Sequence, residues 1–149
     1  MSNYFKKIAF FYLAAAVFGI ALIGFSLPAN GFGEGTTDKD IVKTVTQADF
    51  KTEVLQSKTP VLVDFYATWC IPCRVYSKVL DQVAQEYAGK LKVVRVDVDK
   101  NPKLANAYNV ENLPTTQLIK NGKKFKRMIG TVEKADVEAA IRKMLNISN

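Results

Sequence analysis

Two cysteines placed two residues apart carry the chemistry this sequence offers most plainly. They sit in Trp69-Cys70-Ile71-Pro72-Cys73, just after the apolar run Val61–Tyr66. The chain has no histidine and no third cysteine. Reversible dithiol–disulfide exchange is therefore the reading that needs fewest additions. The nucleophile in such exchange is a thiolate, so a working site must pull one cysteine below its ordinary pKa of about 8.5.

The surrounding pattern supplies a means. Cys70 is expected where a strand gives way to a helix, with the free N–H groups of the first turn aimed toward its sulfur and favouring the charged form. Pro72 costs little there, because an early helical N–H has no intrahelical partner, and it stiffens the turn between the sulfurs. Cys73 lies one turn in, better buried. It suits the resolving role, attacking the mixed disulfide that Cys70 forms with a substrate. A structural disulfide is the bland alternative, but so small a loop limits the entropic stabilisation. Zinc is disfavoured, because one such pair supplies only two ligands and no histidine completes a tetrahedron. This chemistry calls for no cofactor and no metal.

Asp64 interrupts an otherwise apolar strand. Alternation places it on the face of Leu62 and Tyr66, turned into a layer covered by helix. Burial would raise its pKa, and a carboxyl just before the dithiol can exchange a proton with Cys73. The alternative is an ordinary half-exposed strand aspartate.

The elements that must position these groups are readable from periodicity and turn residues. Ile41–Val45 is a short strand. Thr46 to Asp49 has capping-box spacing ahead of a helix with Phe50 and Val54 on one face. Val61–Tyr66 reads as a buried strand of the parallel type. The helix after the cysteines carries Val75, Val79, Val83 and Tyr87 at every fourth position, with Leu80 and Ala84 beside them, and Gly89 ends it. Leu91–Val98 is a strand, and Asn101-Pro102 is a cap and first-turn pair for a short helix to about Tyr108. Thr116–Lys120 and Lys124–Ile129 form a hairpin through Asn121-Gly122. Gly130 breaks the chain before a last helix, Val132 to about Leu145, with Val137, Ala140, Ile141 and Met144 inward. The order β-α-β-α-β-α-β-β-α implies an α/β fold: a mixed central sheet with helices on both faces.

The first residues are of another kind. Lys6 and Lys7 precede Ile8–Leu27, twenty residues without a charge. At about 1.5 Å per residue the run spans roughly 30 Å, the hydrocarbon thickness of a bilayer. Residues 1–27 are expected to be an N-terminal transmembrane anchor with a cytoplasmic N-terminus, and 28–40, rich in glycine, a flexible tether. A cleaved signal peptide ending near Gly24-Phe25-Ser26 is the alternative. Residues 41–149 form the single domain. They carry the chain's whole excess of +7, because the charges of the first forty residues cancel. The densest basic cluster, Lys120 to Arg127, reads as a solvated hairpin, with docking to an acidic partner or anionic headgroups as the alternative. Nothing supplies the groove or aromatic platform of a nucleic-acid binder.

The motifs together resemble the thioredoxin family: Val61 to Arg74 around the cysteines, Val96-Asp97-Val98-Asp99, Leu113-Pro114-Thr115, Lys120 to Lys123, and Gly130, in the family's order over about residues 42–146. The resemblance implies the thioredoxin fold, with Cys70 as exposed nucleophile, Cys73 as resolving cysteine and Asp64 as buried acid. It also implies a cis Pro114 that sets the Leu113 backbone beside the dithiol. The substrate surface would be shallow and apolar, built from Trp69, Ile71, Pro72, Leu113, Pro114, Thr115 and Gly130. Departures are Ile71 and Asn112 where glycine is common, Tyr66 for a tryptophan, Arg95 for a lysine near the buried acid, and Lys78 for a helix-kinking proline.

Pro72 between the cysteines, rather than a histidine, favours a reducing site. The expected protein is a membrane-tethered, extracytoplasmic thiol:disulfide reductase. It would act on disulfide-containing proteins, draw electrons from a membrane donor protein, and serve haem-protein maturation or repair of misoxidised cysteines. A disulfide oxidase or isomerase is the enzymatic alternative. A binding module with a permanent Cys70–Cys73 bond is the non-catalytic one.

Overall fold

The computed structural model describes residues 41–147. The expected anchor and tether, residues 1–40, lie outside the described residues. Among the described residues no helix is long and apolar enough to cross a membrane.

Nine elements follow one another: β1 (Val42–Thr44), a π-helical turn (Lys51–Leu55), β2 (Val61–Tyr66), α1 (Ile71–Glu86), β3 (Lys92–Asp97), α2 (Pro102–Ala107), β4 (Thr115–Lys120), β5 (Lys123–Ile129) and α3 (Lys134–Leu145). The five strands form one mixed sheet in the order β1-β3-β2-β4-β5. β1, β3 and β2 run parallel, whereas β4 is antiparallel to both β2 and β5. The expected α/β architecture is what forms.

Strand alternation divides the core between the two faces. On one, Leu62, Leu118 and Met128 pack under Tyr76, Leu80 and Val83 of α1 and Val137, Ile141 and Met144 of α3. On the other, Val61, Val63, Phe65, Val94, Val96 and Ile119 meet Phe50, Val54, Leu104 and Tyr108. β2 lies at the centre with neighbours on both edges, which is why it reads as a near-continuous apolar run.

Several local expectations change. Val75 is not on the inner face of α1 but 64% exposed. A strict four-residue spacing drifts by about 40° at each step, because a turn takes 3.6 residues. The face that stays inward is Cys73, Tyr76, Leu80, Val83 and Ala84. The first helix is only the wide turn over Lys51–Leu55. Its entry is nevertheless braced as the spacing implied, since Asp49 Oδ1 accepts from the Thr46 backbone N–H at 2.6 Å and from its hydroxyl at 2.8 Å. Asn101 makes no side-chain cap. It is buried and ties two segments together, its Oδ1 accepting from Gln47 N at 2.8 Å while Nδ2 donates to the Asp97 carbonyl at 3.0 Å.

The hairpin forms at Asn121 and Gly122, whose φ values of 52° and 72° are those of a tight turn matched to strand twist. Its basic residues are not all simply solvated. Lys120 Nζ donates to the Met144 carbonyl at the end of α3 (2.7 Å), Lys124 lies over the Tyr108 ring, and Arg127 donates to the Tyr108 and Asn109 carbonyls.

Candidate active site

Cys70 is the N-cap of α1, with extended backbone angles and its Sγ accepting from Cys73 N at 3.2 Å. An N-cap sulfur thus occupies the place where an oxygen side chain would satisfy a free helical N–H. The same N–H and the helix dipole stabilise negative charge on that sulfur when the bond opens. Pro72 sits in the first turn, exposed to solvent and relieving the helix of one N–H without a partner. The two cysteines are joined in a disulfide with Cα atoms 5.3 Å apart.

Exposure alone does not rank the two cysteines as expected: Cys70 is 3% and Cys73 2% exposed in the disulfide form. They differ in what they face. Cys70 lines a shallow groove of about 620 Å³ whose near rim is Trp69, Ile71 and Pro72 and whose far wall is Val110 to Leu113 with Pro102, Ala105 and Asn106. Cys73 opens instead on a smaller cavity of about 240 Å³, beside Tyr66, Ser77 and the guanidinium side chains of Arg74 and Arg95. Only Cys70 shares a surface large enough for a segment of another protein.

Large apolar side chains stand out around that sulfur. Trp69 is 67% and Ile71 66% exposed, with Val75 one turn along α1. Trp69 is nonetheless fixed, its Nε1 donating to Asp99 Oδ2 at 2.9 Å. Asp99 is presented by a turn in which Asp97 Oδ1 accepts from the backbone N–H of Asp99 (3.0 Å). Sequence reasoning missed Asp99 and the α2 wall. The Asp99 contact joins residues thirty positions apart, and no local pattern signals it.

The Leu113–Pro114 peptide bond is cis. Leu113 lines the groove and touches the cluster around Cys70, Cys73 and Ala67. The other residues expected on this surface are placed behind it. Pro114 and Thr115 are buried, and the Thr115 hydroxyl donates to the Asn112 carbonyl at 2.6 Å, bracing the loop. Gly130 adopts φ 80° and donates its N–H to the Pro114 carbonyl at 2.8 Å. It anchors the cis loop and does not line the groove itself.

Asp64 is completely buried on β2. Its Oδ2 accepts from Arg95 Nε at 3.2 Å, across the Asp64–Arg95 register pair of β2 and β3. The Arg95 guanidinium also stacks over Tyr66, 5.3 Å from the ring centre. The Arg95 hydrogen bond and charge favour the ionised carboxylate, but the carboxyl is pushed up to about 6. Burial is the largest cause; the Arg95 charge and hydrogen bond oppose it, and Asp81 adds to it. A carboxyl poised there is able to take and return a proton near neutral pH.

The thioredoxin family model matches residues 41–143, the segment that contains every element of the site. Thioredoxin 1 of a Nostoc species is 46% identical over 101 residues, which cover 68% of this chain and 94% of that protein. Thioredoxin 1 of Synechococcus elongatus is 42% identical over 105 residues, or 70% of this chain and 98% of the relative. The chloroplastic M-type thioredoxin of Chlamydomonas reinhardtii is 44% identical over 102 residues, covering 68% and 73% respectively.

Proposed function

The chain belongs to the thioredoxin family and is a thiol:disulfide oxidoreductase, and from that premise we propose that it reduces protein disulfides outside the cytoplasm, held to the membrane by residues 1–27. The observation that carries the catalytic reading is Cys70 at the N-terminus of α1, on a groove that Cys73 does not share.

In the reduced enzyme the Cys70 thiolate attacks one sulfur of a substrate disulfide. A mixed disulfide forms and the other substrate sulfur leaves as a thiolate. Cys73 then gives its proton to the Asp64 carboxylate and attacks Cys70 Sγ. The second substrate thiolate departs and the Cys70–Cys73 disulfide remains. The substrate gains two electrons and the enzyme loses two. Trp69, Ile71 and Pro72 receive the apolar part of the substrate, and the Leu113 backbone aligns its extended segment. Pro114, Thr115 and Gly130 hold that loop in place.

Pro72 between the cysteines, with no histidine to hold the leaving thiolate, supports the reducing direction. The location rests on Lys6 and Lys7 ahead of the uncharged Ile8–Leu27, with residues 28–40 as tether. Such a domain stands across the membrane from soluble cytoplasmic reductants. A membrane protein that relays electrons is therefore its donor, and haem-protein maturation or repair of misoxidised cysteines its use.

Trapping tests the mechanism. Cys73→Ser should accumulate mixed disulfides with substrate proteins and Cys70→Ser should not; the reverse result overturns the assignment. A reduction potential near the roughly −270 mV of thioredoxin supports reduction, whereas one near about −120 to −180 mV reverses the direction. Tagging the C-terminus and assaying protease access in spheroplasts tests the location.

A further inference from the structure

Among the described residues, three buried side-chain polar atoms are without a hydrogen-bond partner: Asp64 Oδ1 on β2, Thr116 Oγ1 on β4 and Tyr76 Oη on α1. They are not scattered. Thr116 stands opposite Asp64 in the antiparallel β2–β4 register, so both side chains leave the sheet on the same face. That face is the one α1 covers. Leu62 and Leu118, the next pair along the two strands, pack with Tyr76 in one core cluster. The groups also act on one another: burial pushes the Tyr76 phenol up, the Thr116 hydroxyl pulls against that, and the Asp64 charge adds to it.

Unpaired polar atoms in an interior are rare enough that three together demand a reason. Arg95, from β3, satisfies only Oδ2. Asp81 of α1, the other charge acting on the carboxyl, pushes it further up and gives Oδ1 no hydrogen bond. A hydroxyl differs from both, because after rotation it can either donate or accept. A carboxyl that alternates between charged and neutral forms needs partners with that property.

We propose that Tyr76 and Thr116 are positioning residues for Asp64, their hydroxyls donating toward Oδ1 when the carboxylate is ionised and turning to accept its O–H when it is protonated. The hydroxyls keep their own protons throughout; only the proton exchanged between Cys73 and Asp64 is transferred. The pair sets how readily the buried carboxylate takes that proton. This rests on the proposed role of Asp64, and the experiment separates the two.

Following the Asp64 carboxyl by carbon-13 NMR in the oxidised protein is the direct test. Tyr76→Phe keeps the ring and removes one hydroxyl, and Thr116→Val removes the other at nearly constant shape. Each should move the Asp64 midpoint upward by about half to one pH unit, because the ionised form loses a donor. Thr116→Ser, which restores a hydroxyl, should return the midpoint to the wild-type value. The direction distinguishes positioning from mere packing: a loosened site that admits water would lower the midpoint. An unchanged or lowered midpoint in folded Tyr76→Phe overturns the proposal, whether or not the Thr116 variants fold. Stopped-flow measurement of mixed-disulfide resolution in Asp64→Asn addresses the parent reading. No slowing there removes Asp64 from catalysis while leaving the titration result to stand or fall by itself.

Discussion

Arg95 Nε donates to Asp64 Oδ2 at 3.2 Å across the parallel β2–β3 pair, and burial still pushes the carboxyl up to about 6 from its ordinary 3.8. An ion pair on the edge of a buried site gains less than the complete desolvation of its acid costs. Arg95 keeps part of its side chain in solvent, whereas Asp64 has none exposed. The pair therefore moderates a carboxyl that burial would drive higher, leaving it able to accept a proton near neutral pH.

The shift has a consequence for stability. Between about pH 4 and 6 the folded protein holds the Asp64 proton more tightly than the unfolded chain does. Asp64 therefore lowers stability as pH rises through that window, by about 2–3 kcal/mol once fully ionised. Asp64→Asn should match the wild type below pH 4 and exceed it by about 2 kcal/mol above pH 7, while slowing substrate release. Urea denaturation of the oxidised proteins across this range measures the difference. A constant difference at every pH would mean the carboxyl is not the cause.

The sequence made the element order legible because each segment carried its own signal: the dense apolar β2, the Asn121-Gly122 turn, and glycines at the ends of α1 and β5. The cysteine pair and Asp64 were legible for the same reason, being unusual residues in strongly patterned surroundings. What could not be read were relations made by register. Asp64 and Thr116 stand opposite one another only because β4 runs antiparallel to β2, on the face where Leu62 and Leu118 pack with Tyr76 of α1. Asn101 looked like a cap, but its amide is taken by Gln47 and Asp97, partners its local sequence does not specify. Val75 followed an apparent spacing that the true helical angle turns outward.

Trp69 is the only tryptophan, so its fluorescence reports on the groove rim alone. Asp99→Ala removes the acceptor for its indole N–H. A hydrogen bond of this kind contributes about 0.5–1.5 kcal/mol. The expected result is increased indole mobility by fluorescence anisotropy and a twofold to tenfold fall, about, in kcat/KM for a protein disulfide. Unchanged anisotropy would show that the contact does not hold the ring.

Gly122 occupies φ 72°, and a Cβ there would come within 2.9 Å of the Leu55 carbonyl oxygen. Gly122→Ala combines backbone strain with a close contact between the hairpin and the π-helical turn. We expect a loss of about 1–2 kcal/mol in urea denaturation with exchange chemistry unaffected. A loss of activity in the folded variant would tie the hairpin to the site in a way its position does not suggest.

Ile71 beside Cys70, and Val75 one turn further along α1, present apolar surface that the fold does not use for itself. Covering such a side chain with substrate is worth about 1 kcal/mol or somewhat less where burial is partial. Ile71→Ser and Val75→Ser should each lower kcat/KM for a protein disulfide by about threefold to tenfold. Stability should barely change, because neither side chain is in the core. A small dithionitrobenzoate-type disulfide, too short to reach the rim, should be reduced by both variants at the wild-type rate. Equal losses on the small and large substrates would instead place the effect on the Cys70 thiolate, through the first turn of α1, and the rim would lose its role in binding.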